Sequence, residues 1–432
     1  MNLKTFIQSQ FMRRIASKAR LDKVRAKARV ARIKTGGRPT LHYFHHAADP
    51  YSYLAVQALP KILQRYDVDL VCHLTNGKTG DYQGEGNMYF DWARRDAADV
   101  APGYGLEAPT LDAPAETRVK QAEQALAALG TGVEFLEPAA KIGRVLWYGE
   151  DFDQFTQVDA NKAAAQVAAG SKLQDSEGHY NGAMIKYEGE WFWGVDRLYV
   201  LEARLVEEGL SRDAAAPLCV PRPELPMTTD RDTSQIVVEV YPSLRSPYTA
   251  ISFDRTVEMV EALGAKLVLK PVMPMMMRGI PAPAKKGMYI LFDTSREARA
   301  INVPFGGIVD PFGDPVKTGF SLYPYAKQEG KGKEYLSAYL KCAFADKVDI
   351  TTDKGLAEVC RRAGLDWSQA KAFKDKPGYM DELEANVADM LNFGLWGVPS
   401  FRVVGGNDEQ AWTTWGQDRL WRVGQEVLRR AQ

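Results

Sequence analysis

The chain has 432 residues, more than the roughly 100 to 200 of one domain, which predicts two or three domains. Its 45% hydrophobic and 25% charged residues are ordinary for a globular protein. The sequence has no run of about 18 apolar residues, so no membrane-spanning helix is predicted. The four cysteines are scattered, with neither a CxxC pair nor a metal-ligand spacing. This pattern favours a reducing compartment and predicts a cytoplasmic protein.

The net charge of zero conceals a basic N-terminal segment, residues 1–39, with 12 Lys or Arg and one acidic residue, Asp22. Five apolar residues in it follow helical spacing: Leu3, Phe6, Ile7, Phe11 and Ile15. The pattern is typical of an amphipathic helix on an anionic membrane, of a nucleic-acid contact or of a targeting peptide. Of these partners, a membrane surface stays open for the basic N-terminal segment, and no nucleic-acid partner is expected. The alternative is a helix that packs its apolar stripe on the body of the protein.

Residues 40–210 predict a first α/β domain. A strand, "LHYF", leads into an Asp-Pro-Tyr corner, a helix from about residue 51 to 66 and a second strand, "VDLVCHL". A helical middle follows from about residue 88 to 170. Two strands joined by the turn "KYEG" and a closing helix, "VDRLYVLEARLVEEG", complete the domain.

Residues 211–234 contain four prolines and little periodicity, which predicts an inter-domain linker. Residues 235–432 then repeat the earlier order: strand "QIVVEVY", a Ser-Pro-Tyr corner, a helix and strand "KLVLKPV". A helical middle from about residue 284 to 391 precedes "GVPSFRVV", "AWTTWGQDRL" and a final helix. A repeat of this length indicates duplicated domains, because solenoid repeats span only about 20 to 50 residues.

The order β-α-β, helices, β-β-α resembles the thioredoxin fold in its DsbA-like form. Five phrases of the second half, in order, resemble 2-hydroxychromene-2-carboxylate isomerase and the kappa-class glutathione transferases: "SPYTAI", "LKPV", "PAKKGMYILFD", "GLWGVPSF" and "WGQDRL". The first half is similar more loosely, through "DPYSYLA" and "WFWGVDRL". The resemblance implies an α/β protein with two tandem thioredoxin-like domains, each with an inserted helical subdomain, the first of them degenerate.

DsbA-like oxidoreductases carry Cys-x-x-Cys at this corner, whereas here it begins with Ser246 in the second half and Asp49 in the first. Neither corner can form a redox disulfide. The resemblance implies glutathione as cosubstrate, with the Ser246 hydroxyl and the helix N-terminus stabilising its thiolate. An ionised Asp49 would repel a thiolate but remains a good N-cap. The simpler interpretation of Ser246 is also an N-cap, with proline at the first helical position.

In this fold a cis-proline opposite the corner exposes the preceding backbone to an extended ligand. The resemblance assigns that position to Val398 and Pro399, and Ala183 replaces the proline in the first half. It also implies that Gln417 and Asp418 hold the γ-glutamyl group. The first-half equivalent of Asp418 is Asp196, and an Asp near a helix start is also a common structural cap.

Six further residues are substrate-pocket candidates: Tyr248, Lys270, Met273, Met275, Arg278 and Asn386. The methionines suit an adaptable apolar wall but equally suit a core, and the cations suit a substrate carboxylate but equally a solvated surface. His45 and His46 beside Asp49 match no metal motif, and no metal is predicted.

These features predict a glutathione-dependent isomerase or transferase that acts on an aromatic-derived or other electrophilic small molecule. Two alternatives stay open: a non-catalytic tandem thioredoxin-fold binding protein, and a thiol oxidoreductase that uses distant cysteines. Homodimerisation stays open as well.

Overall fold

A computed structural model describes residues 3–85 and 88–431 and divides the chain into two compact units. The C-terminal unit comprises residues 3–20 with 224–431, and the N-terminal unit comprises residues 21–223. The boundary at residue 223 falls inside the proline-rich stretch, which contains no helix or strand. None of the helices in the described part of the chain is both long and apolar enough to cross a membrane.

Two helices open the chain, α1 (Leu3–Ala16) and α2 (Lys18–Lys34). The N-terminal unit continues with β1 (Thr40–His45), α3 (Pro50–Arg65), β2 (Asp69–Leu74), α4 (Met88–Val100), α5 (Glu116–Leu126), α6 (Leu136–Tyr148), α7 (Ala160–Ser176), β3 (Met184–Tyr187), β4 (Glu190–Trp193) and α8 (Leu198–Glu207). Its sheet has the order β2-β1-β3-β4, with β1 parallel to β2 and antiparallel to β3. The hairpin predicted at "KYEG" is confirmed, because β3 and β4 pair across that turn.

The C-terminal unit contains β5 (Ile236–Tyr241), α9 (Pro247–Ala262), β6 (Lys266–Leu269), α10 (Ala284–Ala300), α11 (Asp314–Ser321), α12 (Tyr323–Gln328), α13 (Gly332–Phe344), α14 (Asp353–Arg362), α15 (Trp367–Ala370), α16 (Met380–Asn392), β7 (Ser400–Gly405), β8 (Asp408–Trp415) and α17 (Leu420–Arg430). Its sheet order, β6-β5-β7-β8, has the same strand directions as the sheet of the N-terminal unit. A 3-10 turn, Gln417–Arg419, leads into α17.

Helix α9 is fixed by two cores. Phe253 packs in the helical layer, whereas Met259 and Val260 pack with the sheet and α17. Burial on both sides restrains the helix axis, and with it the position of the helix N-terminus. The first turn of α9 is therefore a rigid place for a functional group.

Helix α1 contacts the helical layer of the C-terminal unit through the face that carries Ser9, Ile15 and Ala16. All three residues are buried there. The expectation that α1 packs its apolar stripe on the body is wrong for the other four members of the stripe. They are exposed by 74%, 48%, 59% and 53%, in the order Leu3, Phe6, Ile7 and Phe11.

Candidate functional site

Ser246 is the N-cap of α9, with an extended backbone and a side chain that accepts a hydrogen bond from the Thr249 N–H at 3.1 Å. Pro247 begins the helix, since its fixed φ suits the first helical position. The Ser246 Oγ also donates to the Val398 carbonyl at 3.4 Å, and the Val398–Pro399 peptide bond is cis. The corner and the loop before β7 thus meet at one hydroxyl group.

Three buried polar atoms in this region have no hydrogen-bond partner among the described residues: Ser243 Oγ, Thr249 Oγ1 and Gln417 Oε1. Each residue is at most 3% exposed. Buried polar groups in proteins are normally paired, because an unmade hydrogen bond costs about 1–3 kcal/mol. The three atoms are therefore hydrogen-bonding capacity that the described residues leave unused at the corner and the neighbouring turn.

Gln417 lies among carboxylates at the turn before α17. Its Nε2 donates to Glu297 Oε2 at 2.9 Å and also to the Asp418 carboxylate. Glu297 is fully buried and belongs to α10. Two carboxylates and the unpaired amide oxygen together form a set of acceptors suited to a cation with several N–H donors.

Helix α10 contributes a second buried carboxylate to the same region, Asp293. It accepts hydrogen bonds from Tyr248 Oη at 2.8 Å and Arg296 Nη2 at 2.7 Å. The sequence reasoning missed both Asp293 and Glu297. The available signal was a cluster of charges inside "YILFDTSREA", directly after the apolar residues of the predicted helical middle.

Two further substrate-pocket candidates, Lys270 and Arg278, are bound to other residues of the protein. Lys270 Nζ pairs with Glu239 at 3.0 Å and with Asp389 at 2.5 Å. Arg278 donates to the carbonyl oxygens of Met273 and Trp396.

Asn386 and the methionines lie beside the same loop. The Asn386 side chain donates to the Pro271 carbonyl at 2.9 Å and so supports the loop after β6. Met273 is buried and packs in the core, Met275 is half-buried, and Met276 is exposed, with its sulfur 3.5 Å from Arg245 Nη1.

The corresponding corner of the N-terminal unit is filled by protein. Asp49 caps α3, and Ser52 Oγ donates to Asp49 Oδ2 at 2.8 Å while accepting from the Ala183 N–H at 2.8 Å. A Cβ atom at Gly182 would lie only 2.6 Å from Asp49 Oδ2. The Asp196 carboxylate accepts a hydrogen bond from Tyr104 Oη.

Burial controls ionisation at this corner. It raises the pKa of Asp49 to about 6, and it lowers the pKa of His45 to about 3 and that of His46 to about 4. In the described residues, no group of three or more His, Cys, Asp or Glu side chains is arranged to hold a metal ion.

The four cysteines are unpaired, and Cys72, Cys342 and Cys360 are buried. Burial raises the pKa of the Cys342 and Cys360 thiols to about 11 and also raises those of Cys72 and Cys219. Thiols of this kind are poor nucleophiles near neutral pH, because little thiolate is present.

Residues 237–427 match the family model of the DSBA-like thioredoxin domain. No match was found among curated proteins. Among solved structures, a 2-hydroxychromene-2-carboxylate isomerase is 19% identical, with 45% of this chain and 95% of that chain covered and a TM-score of 0.37. A probable DsbA oxidoreductase from Streptomyces coelicolor is 19% identical, with coverages of 45% and 90% and a TM-score of 0.35.

The cytosolic disulfide reductase DsbM from Pseudomonas aeruginosa, solved with GSH, is 15% identical, with 45% of this chain and 99% of that chain covered and a TM-score of 0.33. The match of the family model spans the first strand of the C-terminal sheet, the Ser246 corner, the helical layer and most of α17. The C-terminal unit of this chain therefore carries a DSBA-like thioredoxin domain.

Proposed function

We propose that the Ser246 corner binds glutathione and that the C-terminal unit is a glutathione-dependent isomerase or transferase for an electrophilic small molecule. The observation that carries the proposal is the position of the Ser246 hydroxyl at the N-terminus of α9. Its proton is directed at the Val398 carbonyl at 3.4 Å, a long hydrogen bond that a thiolate can replace. The partial positive charge of the helix N-terminus also favours an anion there.

The chemistry follows from a stabilised thiolate. Lowering the thiol pKa of glutathione from about 8.5 raises the thiolate fraction at neutral pH. The sulfur adds to the β-carbon of a conjugated double bond, and the electron pair moves onto the carbonyl oxygen as an enolate. Rotation about the new single bond and expulsion of the thiolate give the isomer, whereas protonation of the enolate carbon gives the conjugate.

The acceptor set around Gln417 supports this choice of cosubstrate. The α-ammonium of the γ-glutamyl group offers three N–H donors. Gln417 Oε1 has no hydrogen-bond partner among the described residues and offers one acceptor at the turn before α17, where Glu297 and Asp418 add negative charge. Val398 would bind the backbone of the tripeptide as a short strand does.

We further propose that the N-terminal unit is a second, degenerate copy of the thioredoxin-like fold. The matching strand orders and the helix that begins at a capped proline corner in each unit support duplication. The bonds of Ser52 to Asp49 and Ala183 occupy the region where a ligand sulfur would bind. Glutathione should accordingly bind once per chain. Four unpaired thiols fit a cytoplasmic location.

The proposal is tested by titrating glutathione into full-length wild type and Ser246→Ala, with isothermal calorimetry for affinity and ultraviolet absorbance for thiolate. The matched control is Thr352→Ala, which removes an equivalent N-cap, that of α14. We expect one site per chain, with the bound thiol pKa raised in Ser246→Ala and unchanged in the control. Absence of binding to wild type, or identical thiol titrations in wild type and Ser246→Ala, would contradict the proposal.

A further inference from the structure

The N-terminal unit contains a cluster of aromatic side chains beside the Asp49 corner. Tyr51, Tyr89 and Trp92 are buried, and Trp193 is half-buried. Between ring centroids, Tyr51 lies 5.5 Å from Trp193 and 6.3 Å from Trp92. Tyr89 lies 6.3 Å from Trp92. These four rings form one connected group, which we call the aromatic cage.

The ammonium group of Lys78 lies on this cage. Its Nζ is 3.8 Å from the centroid of the Tyr89 ring and 5.1 Å from that of the Trp193 ring. A cation within about 6 Å of an aromatic face is attracted by the negative charge of that face, and cages of several rings recognise ammonium ligands. A side chain of the protein therefore occupies a place that suits an organic cation.

Two carboxylates give the cage the negative charge that a cation needs. Asp49 and Asp96 are buried, and Tyr51 Oη donates to Asp96 Oδ2 at 2.7 Å. Burial raises the pKa of Asp49 to about 6, and the charge of Lys78 opposes that rise, so Asp49 stays mostly ionised at neutral pH. Burial also raises the pKa of the Tyr89 hydroxyl, and both carboxylates raise it further. Both negative charges thus lie near the ring that Lys78 contacts.

Lys78 belongs to a loop and not to a helix or strand of the sheet. The described residues 75–85 contain one regular element, the 3-10 turn Gly80–Tyr82. Gly77 and Gly80, on either side of Lys78, have φ of 64° and 53°, which glycine adopts without strain. Lys78 and Trp193 are both half-buried, so solvent reaches the cage at these two side chains. A lysine held in this way can exchange with a ligand of the same charge.

We propose that the N-terminal unit binds an alkylammonium ion in the aromatic cage, in exchange for the Lys78 side chain. The ammonium group of the ligand takes the position of the Lys78 ammonium over Tyr89 and Trp193, and its alkyl chain follows the path of the lysine stem. Lys78 acts as an internal competitor that lowers the apparent affinity. This inference does not depend on the glutathione chemistry proposed for the C-terminal unit.

The test is isothermal titration of the full-length protein with n-butylammonium chloride, whose ammonium group and alkyl chain match those of a lysine side chain. Butan-1-ol is the uncharged probe of the same shape, and sodium chloride keeps the ionic strength constant. We expect Lys78→Ala to bind n-butylammonium about tenfold more tightly than wild type, because the competing cation is gone. Adding Trp193→Ala to Lys78→Ala should remove most of that gain. Butan-1-ol should bind none of these proteins.

The matched control is Lys186→Ala, which removes another lysine of the same unit, whose Nζ lies 5.8 Å from the centroid of the Trp191 ring. It should bind n-butylammonium as wild type does.

Lys78→Gln, which removes the charge and keeps most of the side chain, is the second variant and should also bind more tightly than wild type. Equal affinities of wild type and both Lys78 variants, or equal binding of butan-1-ol and n-butylammonium, would overturn the proposal. If both variants lose thermal stability, n-butylammonium should restore their unfolding midpoints. Failure to restore them would leave Lys78 as a structural part of the cage and would equally overturn the proposal.

Discussion

Asp310 binds Arg245 through both carboxylate oxygens, with Nε 2.7 Å from Oδ1 and Nη2 3.0 Å from Oδ2. Arg245 immediately precedes the capping Ser246. The same carboxylate accepts a hydrogen bond from Gln8, and the Asp310 N–H donates to Ser9 Oγ at 3.4 Å. One buried aspartate therefore connects the first helix of the chain to the corner that we propose as the active site.

Removing Asp310 should destabilise the C-terminal unit strongly. Asp310→Ala leaves the guanidinium of Arg245, whose side chain is only 18% exposed, without its partner. Breaking a buried ion pair on one side typically costs about 3–5 kcal/mol of unfolding free energy. Urea denaturation of the full chain measures the loss. The control Asp314→Ala removes a 95% exposed partner of Lys317 and should change stability by less than about 0.5 kcal/mol. Equal effects of the two variants would contradict a coupling role for Asp310.

The buried Asp49 should make the N-terminal unit less stable as pH rises through its titration. Its pKa is about 6 in the folded protein against 3.8 when unperturbed, so the folded state binds more protons between these values. The contribution of the protonated Asp49 carboxyl group to folding stability is therefore fully present below about pH 4 and is lost as pH rises through about 6.

Asp49→Asn removes this dependence while keeping an N-cap. The difference in unfolding free energy between Asp49→Asn and wild type should grow by up to about 3 kcal/mol in favour of the variant as pH rises from about 4 to 7. This is the free energy that corresponds to a pKa shift from 3.8 to about 6. The two proteins are compared by urea unfolding at both pH values. The difference between them isolates Asp49 from His45 and His46, which become protonated in the unfolded state over the same range. A difference that does not change with pH would refute the role of Asp49.

Replacing Ala183 by proline, the residue found at the equivalent position of the second half, should destabilise the N-terminal unit. Ala183 has φ of 55° and donates its N–H to Ser52, whereas proline fixes φ near −65° and has no N–H. Ala183→Pro should lose about 3 kcal/mol or more of unfolding free energy. Ala183→Gly keeps the N–H and accepts a positive φ, so it should stay within about 1 kcal/mol of wild type. Thermal unfolding of both variants measures the two losses. An Ala183→Pro variant as stable as wild type would show that the bond between Ala183 and Ser52 is not needed to hold this corner.

Ser246→Asp separates the capping role of Ser246 from the proposed thiolate role. Aspartate is as good an N-cap as serine, so the start of α9 should be kept, while the buried carboxylate should cost stability at neutral pH as it does at Asp49. A carboxylate beside a bound thiolate raises the thiol pKa by charge repulsion. We therefore expect the thiol pKa of bound glutathione to rise in the order wild type, Ser246→Ala, Ser246→Asp, as followed by thiolate absorbance. An unshifted titration in Ser246→Asp would leave Ser246 as a cap alone.

Local patterns in the sequence determined the elements that carry the site. Proline directly after Ser246 and Asp49 predicts two capped helix starts, and "KYEG" predicts a hairpin, because each depends on the backbone preferences of a few adjacent residues. The repeated order of strands and helices likewise predicts the α/β class and the DSBA-like domain.

Only the tertiary structure decided which side chains meet at the corner and which face of α1 is buried. The pairs Arg245–Asp310 and Gln417–Glu297 join residues far apart in the chain, so no local period reveals them. The spacing of Leu3, Phe6, Ile7 and Phe11 shows an apolar stripe but not its surroundings. Burial depends on which surfaces fit each other, and here the face with Ser9, Ile15 and Ala16 packs closely on the helical layer while the apolar face stays in solvent.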